Sequence, residues 1–323
     1  MKTTDNRNTL LSASPFSNWA CSHPFFEAVL QWLLQRILGL SEPSLLLVVG
    51  PTGVGKSTLI HQLCSHLAHR MMGELQANPS RLHKVYAEAQ FLPGRGFDWD
   101  DLFFSLLKDA GEILLDRKIT PGWPPTRPGR RGLAAAANEM LRLRAPAACI
   151  IDEGGSFVES DSVESLARVL DFLKSIGNRS MTHIVIFGDY RLAKMVEFSG
   201  QLNRRCHVMH FPNYPAGHRA PFDQVVRTFE GRFRSQKVEA ELTDSAELLF
   251  HGTCGCVGLL KRWAESAWLA VRESGGPIDR AVLEANRFPA GSVTRWRYEI
   301  EHGHARMKLF FDGSKPEDAS GLS

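Results

Sequence analysis

Hydrophobic and polar positions along the chain alternate between two patterns. Short apolar runs recur at Leu45–Val49 and Ala147–Ile151, and strand-like runs that admit a histidine or lysine recur at His183–Phe187, Cys206–Phe211 and, shorter, at Lys84–Ala87. Runs of that length, with no polar face, suit strands buried on both sides of a parallel sheet. Between them the apolar residues recur every three or four positions, as amphipathic helices require. One such stripe is Phe25, Phe26, Val29, Leu30, Leu33, Ile37 and Leu38. Others are Leu59, Leu63 and Leu67, then Leu102, Phe103, Leu106 and Leu107, then Leu133, Ala137, Met140 and Leu141, and last Val163, Leu166, Leu170 and Leu173. Asp98 is placed to cap the helix from Trp99, residues 90 to 97 read as loop, and Gly177 closes the helix over 161 to 176. Strand and helix alternate, so the pattern predicts an α/β fold with helices on both faces of a parallel sheet.

Past Pro215 the strand pattern fades. Phe222–Phe233, Ser245–Phe250, Val257–Val271 and Ile278–Glu284 all read as helices. The expected organisation is a flexible tail over 1–22, a core over 23–214, a helical lid over 215–290, and a C-terminal tail over 291–323 that is a candidate partner-docking segment.

The strand at Leu45–Val49 runs directly into Gly50-Pro51-Thr52-Gly53-Val54-Gly55-Lys56-Ser57, and a helical stripe follows. This is G-x-x-x-x-G-K-[ST] in its proper strand–loop–helix setting, a phosphate-binding loop. The glycines let backbone N–H groups close around phosphate oxygens, and the helix N-terminus adds partial positive charge. Gly50 through Ser57, with Thr58, are therefore the expected ATP-binding residues. Lys56 is expected on the β- and γ-phosphates and Ser57 on Mg²⁺. About a hundred residues on, the apolar run Ala147–Ile151 ends in Asp152-Glu153. A strand that buries its body and presents two acids at its carboxyl end sets Asp152 on Mg²⁺ and Glu153 as base for an attacking water.

Composition narrows the class further. A chain of 323 residues that is 43% hydrophobic and 23% charged can build a sizeable core. Its net charge of +3 is mild, so any nucleic-acid contact has to come from a local patch. Six scattered cysteines suit a reducing compartment, and no signal peptide or membrane-length apolar run is read. A cytoplasmic protein with no membrane association is expected. The best basic patch is the Pro- and Gly-rich stretch from Arg117 to Gly132, with Arg117, Lys118, Arg127, Arg130 and Arg131 beside Trp123. It is either a phosphate-contacting DNA loop without sequence preference or a solvated charged loop. His251, Cys254 and Cys256 lack a fourth ligand and read as a lid turn rather than a metal site, and His302 with His304 is equally sparse.

These features resemble an AAA+ ATPase, and more narrowly the TniB/TnsC family of bacterial transposition regulators. The resemblance rests on Leu45-Leu46-Leu47-Val48-Val49-Gly50-Pro51-Thr52 with the phosphate loop, Ile150-Ile151-Asp152-Glu153, Gln201-Leu202-Asn203-Arg204-Arg205 and Gly255-Cys256-Val257-Gly258. It covers about residues 24 to 290. It implies an ATPase that assembles as a homo-oligomeric ring or filament on double-stranded DNA in its ATP state. Such a protein connects a target-selection protein to a DDE transposase. It places Asp189 at the sensor-1 position, where Thr or Asn is commoner. An acid there impairs hydrolysis unless it ligates metal or turns away, and Asp189 reads equally as a helix N-cap. Arg205, or Arg204, falls where an arginine finger acts in trans, or is a surface arginine. Lys261 is a candidate sensor-2 cation, or a solvated residue. Two other readings stay open: an AAA+ ATPase of another branch, such as a secretion ATPase or replication loader, and a nucleotide-gated scaffold with little hydrolysis.

Overall fold

The computed structural model describes residues 14–17, 19–92, 96–112, 130–158, 163–195 and 206–312. The chain divides into two compact units. One is Pro24–Pro212 with Trp296–Ser323, and the other is Asn213–Arg295 with Met1–His23.

The first unit is built on a five-stranded sheet. Its strands are β1 (Leu45–Val49), β2 (Lys84–Glu88), β5 (Ala148–Asp152), β6 (His183–Gly188) and β7 (Cys206–His210). All pairings are parallel, in the order β2-β5-β6-β1-β7. The expected α/β fold, a parallel sheet covered by helices, is thus present. Side chains alternate between two apolar layers. Leu46, Val48, Ala148, Ile150, Val185 and Phe187 face α1 (Pro24–Gly39) and α2 (Lys56–Arg70). Leu45, Leu47, Val49, Cys149, Ile151, Ile184 and Ile186 face the opposite layer. That layer is α4 (Trp99–Asp109), α5 (Arg130–Arg144) and α6 (Val163–Ser180). Double burial of β1, β5 and β6 explains why these three carry no polar alternation, whereas the edge strands β2 and β7 are only partly buried. β1 has β6 on one side and β7 on the other, so its carboxyl end is a topological switch point, where open α/β sheets hold ligands.

Three local expectations change and one holds. Within 90 to 97, β3 (Phe91–Leu92) and β4 (Gly96–Phe97) form a small antiparallel ladder rather than open loop. Asp98 caps α4 as expected, accepting from the N–H groups of Asp100 and Asp101. Arg130, Arg131 and Gly132 open α5 instead of ending a loop. Gly177 does not stop α6: it lies within the helix, where a Cβ would come to 3.0 Å of the Thr182 carbonyl. The helix ends at Ser180, whose hydroxyl bonds the Ile176 carbonyl, followed by left-handed Met181.

The second unit is helical. α7 (Arg219–Ser235), α8 (Ala246–Thr253), α9 (Val257–Val271) and α10 (Arg280–Ala285) bury Phe222, Phe229, Phe233, Leu249, Leu260 and Trp263. Trp263 Nε1 donates to the Leu283 carbonyl, so its one polar atom is satisfied in the core. Ile278 lies in a bridge to Ala240 just before α10, not in the helix. Phe16, expected in a flexible tail, is fully buried against Phe229 and Phe233 at 5.1 and 4.9 Å between ring centroids.

The largest departure is at the C-terminus. Residues expected as a tail form α11 (Ala290–Asp312), a helix of 23 residues. From Trp296 it belongs to the sheet unit, and it buries Ile300, Gly303 and Met307 there. Its stripe escapes a periodicity reading because Gly303 and His304 stand where aliphatic residues usually mark a helix face. Among the described residues, no helix is long and apolar enough to cross a membrane.

Candidate nucleotide site

β1 delivers its carboxyl end to a loop with two left-handed glycines, Gly53 (φ 77°) and Gly55 (φ 119°), conformations that side chains resist. Gly50 carries no side chain for a different reason. A Cβ there would lie 2.3 Å from the Phe211 carbonyl oxygen. The loop is tied to the sheet by the Gly50 N–H on the Gly188 carbonyl at 3.1 Å. α2 starts at Lys56 with no side-chain cap and no acid in its first turn. Its first N–H groups are thus left for an anion, as the motif predicts. The Lys56 ammonium donates to the carbonyls of Gly50 (2.9 Å) and Pro51 (3.0 Å). Burial pushes its pKa down, and the carboxylates of Asp189, Glu153, Asp152 and Glu299 pull it back up. Four acids thus converge electrostatically on one lysine.

Asp152 ends β5 and is 4% exposed. Burial raises its pKa above the usual carboxylate range. The Glu153 N–H on its Oδ1, at 2.8 Å, opposes that rise, as does Lys56, while Glu153 and Glu88 add to it. A divalent cation beside it would remove this frustration. Glu153 is exposed and sits at φ 54°, a backbone region uncommon for a residue of its type. Gly154 and Gly155 let the turn pass β6. A Cβ at Gly154 would meet Ile186 at 2.3 Å, and one at Gly155 would meet Asp189 at 2.9 Å.

Asp189 follows β6 and caps the short turn Tyr190–Leu192, accepting from the Arg191 N–H at 2.9 Å. Its carboxylate also pairs with the Arg191 guanidinium at 2.8 Å. Burial raises its pKa, and the Arg191 N–H and Lys56 lower it. The N-cap geometry and the proximity to Lys56 therefore coexist at one residue. Ser57 is exposed and Thr58 half-buried on α2. Hard oxygen donors from Ser57 and Asp152 fit Mg²⁺, which keeps water and phosphate as its other ligands. Among the described residues no group of three His, Cys, Asp or Glu is placed to hold a metal alone.

Other candidates lie elsewhere. Lys261 is half-buried on α9 of the helical unit. Arg204, Arg205, Arg117, Lys118 and Arg127 fall outside the described residues, and for Arg130 and Arg131 only the helical backbone is described. Sequence reasoning missed Glu88, Arg191, Tyr190 and Glu299. Glu88 could have been found, since it ends the strand that pairs with the Asp152 strand. Glu299 had no signal, because it approaches the loop from 247 residues away.

Residues 39–196 match the family model of an AAA domain. That AAA-matching span holds the phosphate loop, Asp152-Glu153 and Asp189, and is just under half of the chain. The fold is similar to that of the ORC2 protein of Aeropyrum pernix, solved as ADPNP and ADP complexes, with a TM-score of 0.56 and 15% identity over 91% of this chain and 82% of that one. It is also similar to CDC6P of Pyrobaculum aerophilum, with a TM-score of 0.53 and 14% identity over 93% of this chain and 84% of that one. A Walker-type ATPase of Pyrococcus abyssi gives a TM-score of 0.52 and 14% identity, covering 87% and 76% of the two chains. No curated protein is significantly similar in sequence.

Proposed function

We propose that the chain is an ATP-hydrolysing, DNA-binding AAA+ protein of the bacterial cytoplasm that assembles on duplex DNA and recruits or activates a DDE transposase. The observation that carries the enzymatic part is the convergence on Lys56. The loop after β1 and the acids after β5 lie at the same edge of the sheet, close enough for Asp152 and Glu153 to act on the ammonium. The similarly folded ORC2 protein was solved with ADPNP and ADP, which supports a nucleotide at this site. In this reading the loop N–H groups and Lys56 hold phosphate, Ser57 and Asp152 hold Mg²⁺, and Thr58 extends the cradle along α2. Bound Mg²⁺ would neutralise phosphate charge. Glu153 takes the proton of the attacking water. Arg205 acts in trans, Lys261 supplies a second cation, and Arg117, Lys118, Arg127, Arg130 and Arg131 contact DNA phosphates.

The transposition role rests on the sequence resemblance through Gln201–Arg205 and Gly255–Gly258. A second reading, a nucleotide-gated scaffold with slow turnover, is favoured by Asp189, whose acid in the sensor-1 position is engaged by Arg191. Sedimentation with duplex DNA tests the assembly claim. Co-sedimentation with ATP or ADPNP but not ADP, prolonged by Glu153→Gln, is expected. No assembly in any nucleotide state would remove the DNA and transposase parts of the reading. Assembly of equal lifetime in wild type and Glu153→Gln would favour the scaffold.

A further inference from the structure

We propose that α11 is a nucleotide-responsive latch, with the Glu299 carboxylate seated on the phosphate loop as a competing anion. This rests on the reading of that loop as a nucleotide site. Glu299 Oε1 accepts from the Thr52 N–H at 3.0 Å and from the Thr52 hydroxyl at 3.1 Å. The same carboxylate acts on both Lys56 and Asp189. It therefore stands in the field into which a polyphosphate would bring several further negative charges.

The seat is built along one face of the helix, at a spacing of about one turn. One turn beyond Glu299, Gly303 lies against the ring of Tyr190, where a Cβ would come within 2.1 Å of Cγ and 2.2 Å of Cδ2. His304 meets the rings of Tyr190 and His210 at 6.0 and 5.1 Å, and Tyr190 Oη is hydrogen-bonded to His210 Nε2 at 2.9 Å. A further turn on, Met307 is 1% exposed in the apolar layer. Tyr190 directly follows Asp189, and His210 is the register partner of Val49 at the end of β1. The helix thus rests on residues at the ends of β1, β6 and β7, the strands that frame the phosphate loop. The opposite face, including Tyr298, His302, Ala305 and Leu309, is exposed.

Like charges that share one lysine weaken each other's binding, and linkage makes the effect mutual. Nucleotide loosens the helix, and the docked helix weakens nucleotide. Release would bare Tyr190 and the Met307 seat. Two substitutions separate charge from packing. Glu299→Gln keeps an oxygen acceptor for Thr52 and removes the charge. Gly303→Ala keeps the charge and favours the helix itself, but drives a methyl into Tyr190.

The test uses the full chain, with ADPNP and Mg²⁺ titrated by calorimetry and amide hydrogen exchange followed over 296–312. Expected are binding about five- to tenfold tighter in each variant and faster exchange of this segment in wild type on ADPNP binding. Wild type that binds ADPNP with unchanged or slower exchange over 296–312, and variants that bind no tighter, would overturn the latch while leaving the nucleotide site intact. No heat of binding in wild type or either variant would overturn the nucleotide reading, and the latch with it.

Discussion

Gly50→Ala puts one methyl where β1, β6 and β7 meet. Its Cβ would lie 2.3 Å from the Phe211 carbonyl oxygen and 3.2 Å from the carbonyl carbon. Ordinary contact starts near 3.4 Å, so the two backbones must separate by about 1 Å. Nothing there can yield cheaply. The Phe211 N–H donates to the Val49 carbonyl at 2.8 Å, the Gly50 N–H donates to the Gly188 carbonyl, and Phe211 is fully buried. Overpacking of about 1–3 kcal/mol plus a weakened backbone hydrogen bond of about 1 kcal/mol gives about 2–4 kcal/mol of destabilisation. For a unit of this size that is a fall in Tm of about 5–15 °C. Nucleotide affinity should fall too, because the carbonyl of Gly50 helps position Lys56. Differential scanning calorimetry supplies the number, with Gly73→Ala as control. Gly73 lies in the helix α3 (Met72–Ala77) of the same unit, and a Cβ there meets nothing within 4 Å. The control should be neutral or gain up to about 1 kcal/mol from helix propensity. A Gly50→Ala protein melting within about 1 °C of wild type would refute the close-approach reasoning.

Three further outcomes are expected. Phe16→Ala should cost the helical unit about 3–5 kcal/mol in urea unfolding, because the ring is fully buried against Phe229 and Phe233; a change under about 1 kcal/mol would return the segment to the status of a tail. Burial holds His210 and His23 neutral, each with its pKa lowered to about 4, and His304 adds to the effect at His210. The unfolded chain then binds more protons between about pH 6.5 and 4. Stability should be complete above about pH 6.5 and drop as pH falls through this window, by about 1–3 kcal/mol per imidazole, and His210→Gln should flatten the dependence in urea titrations run from about pH 7 to pH 5. Arg191→Ala removes the cation paired with Asp189 and leaves that carboxylate the closer partner of Lys56; nucleotide binding measured by calorimetry should change by severalfold, and an unchanged affinity would mean that Asp189 stands apart from the site.

The sheet and the glycine-rich loop between β1 and α2 were legible in sequence for a local reason. Strands buried on both faces leave unbroken apolar runs such as Leu45–Val49 and Ala148–Ile151, and the phosphate loop needs glycines at fixed spacing. The acid pair Asp152-Glu153 was legible because it ends such a run. What was missed depends on packing that the local pattern does not record. Gly177 carries the usual mark of a helix end, yet here it serves close packing against Thr182, and Gly303 does the same against Tyr190. Glu299 is one acid among several on a mixed-charge segment, and only the fold brings it to Thr52. Phe16 sits among polar residues with no periodicity, so its burial could not be inferred from its neighbours.

The central claim is that Lys56, Asp152 and Glu153 form a working nucleotide site. It is tested most directly by single-turnover ATP hydrolysis with Mg²⁺, with binding measured on the same samples for wild type, Lys56→Ala and Glu153→Gln. Wild type should bind and cleave ATP. Glu153→Gln should bind it and retain it uncleaved, and Lys56→Ala should lose binding by at least about tenfold. Wild type that binds no nucleotide, or a Glu153→Gln protein that cleaves ATP as fast as wild type, would contradict the claim.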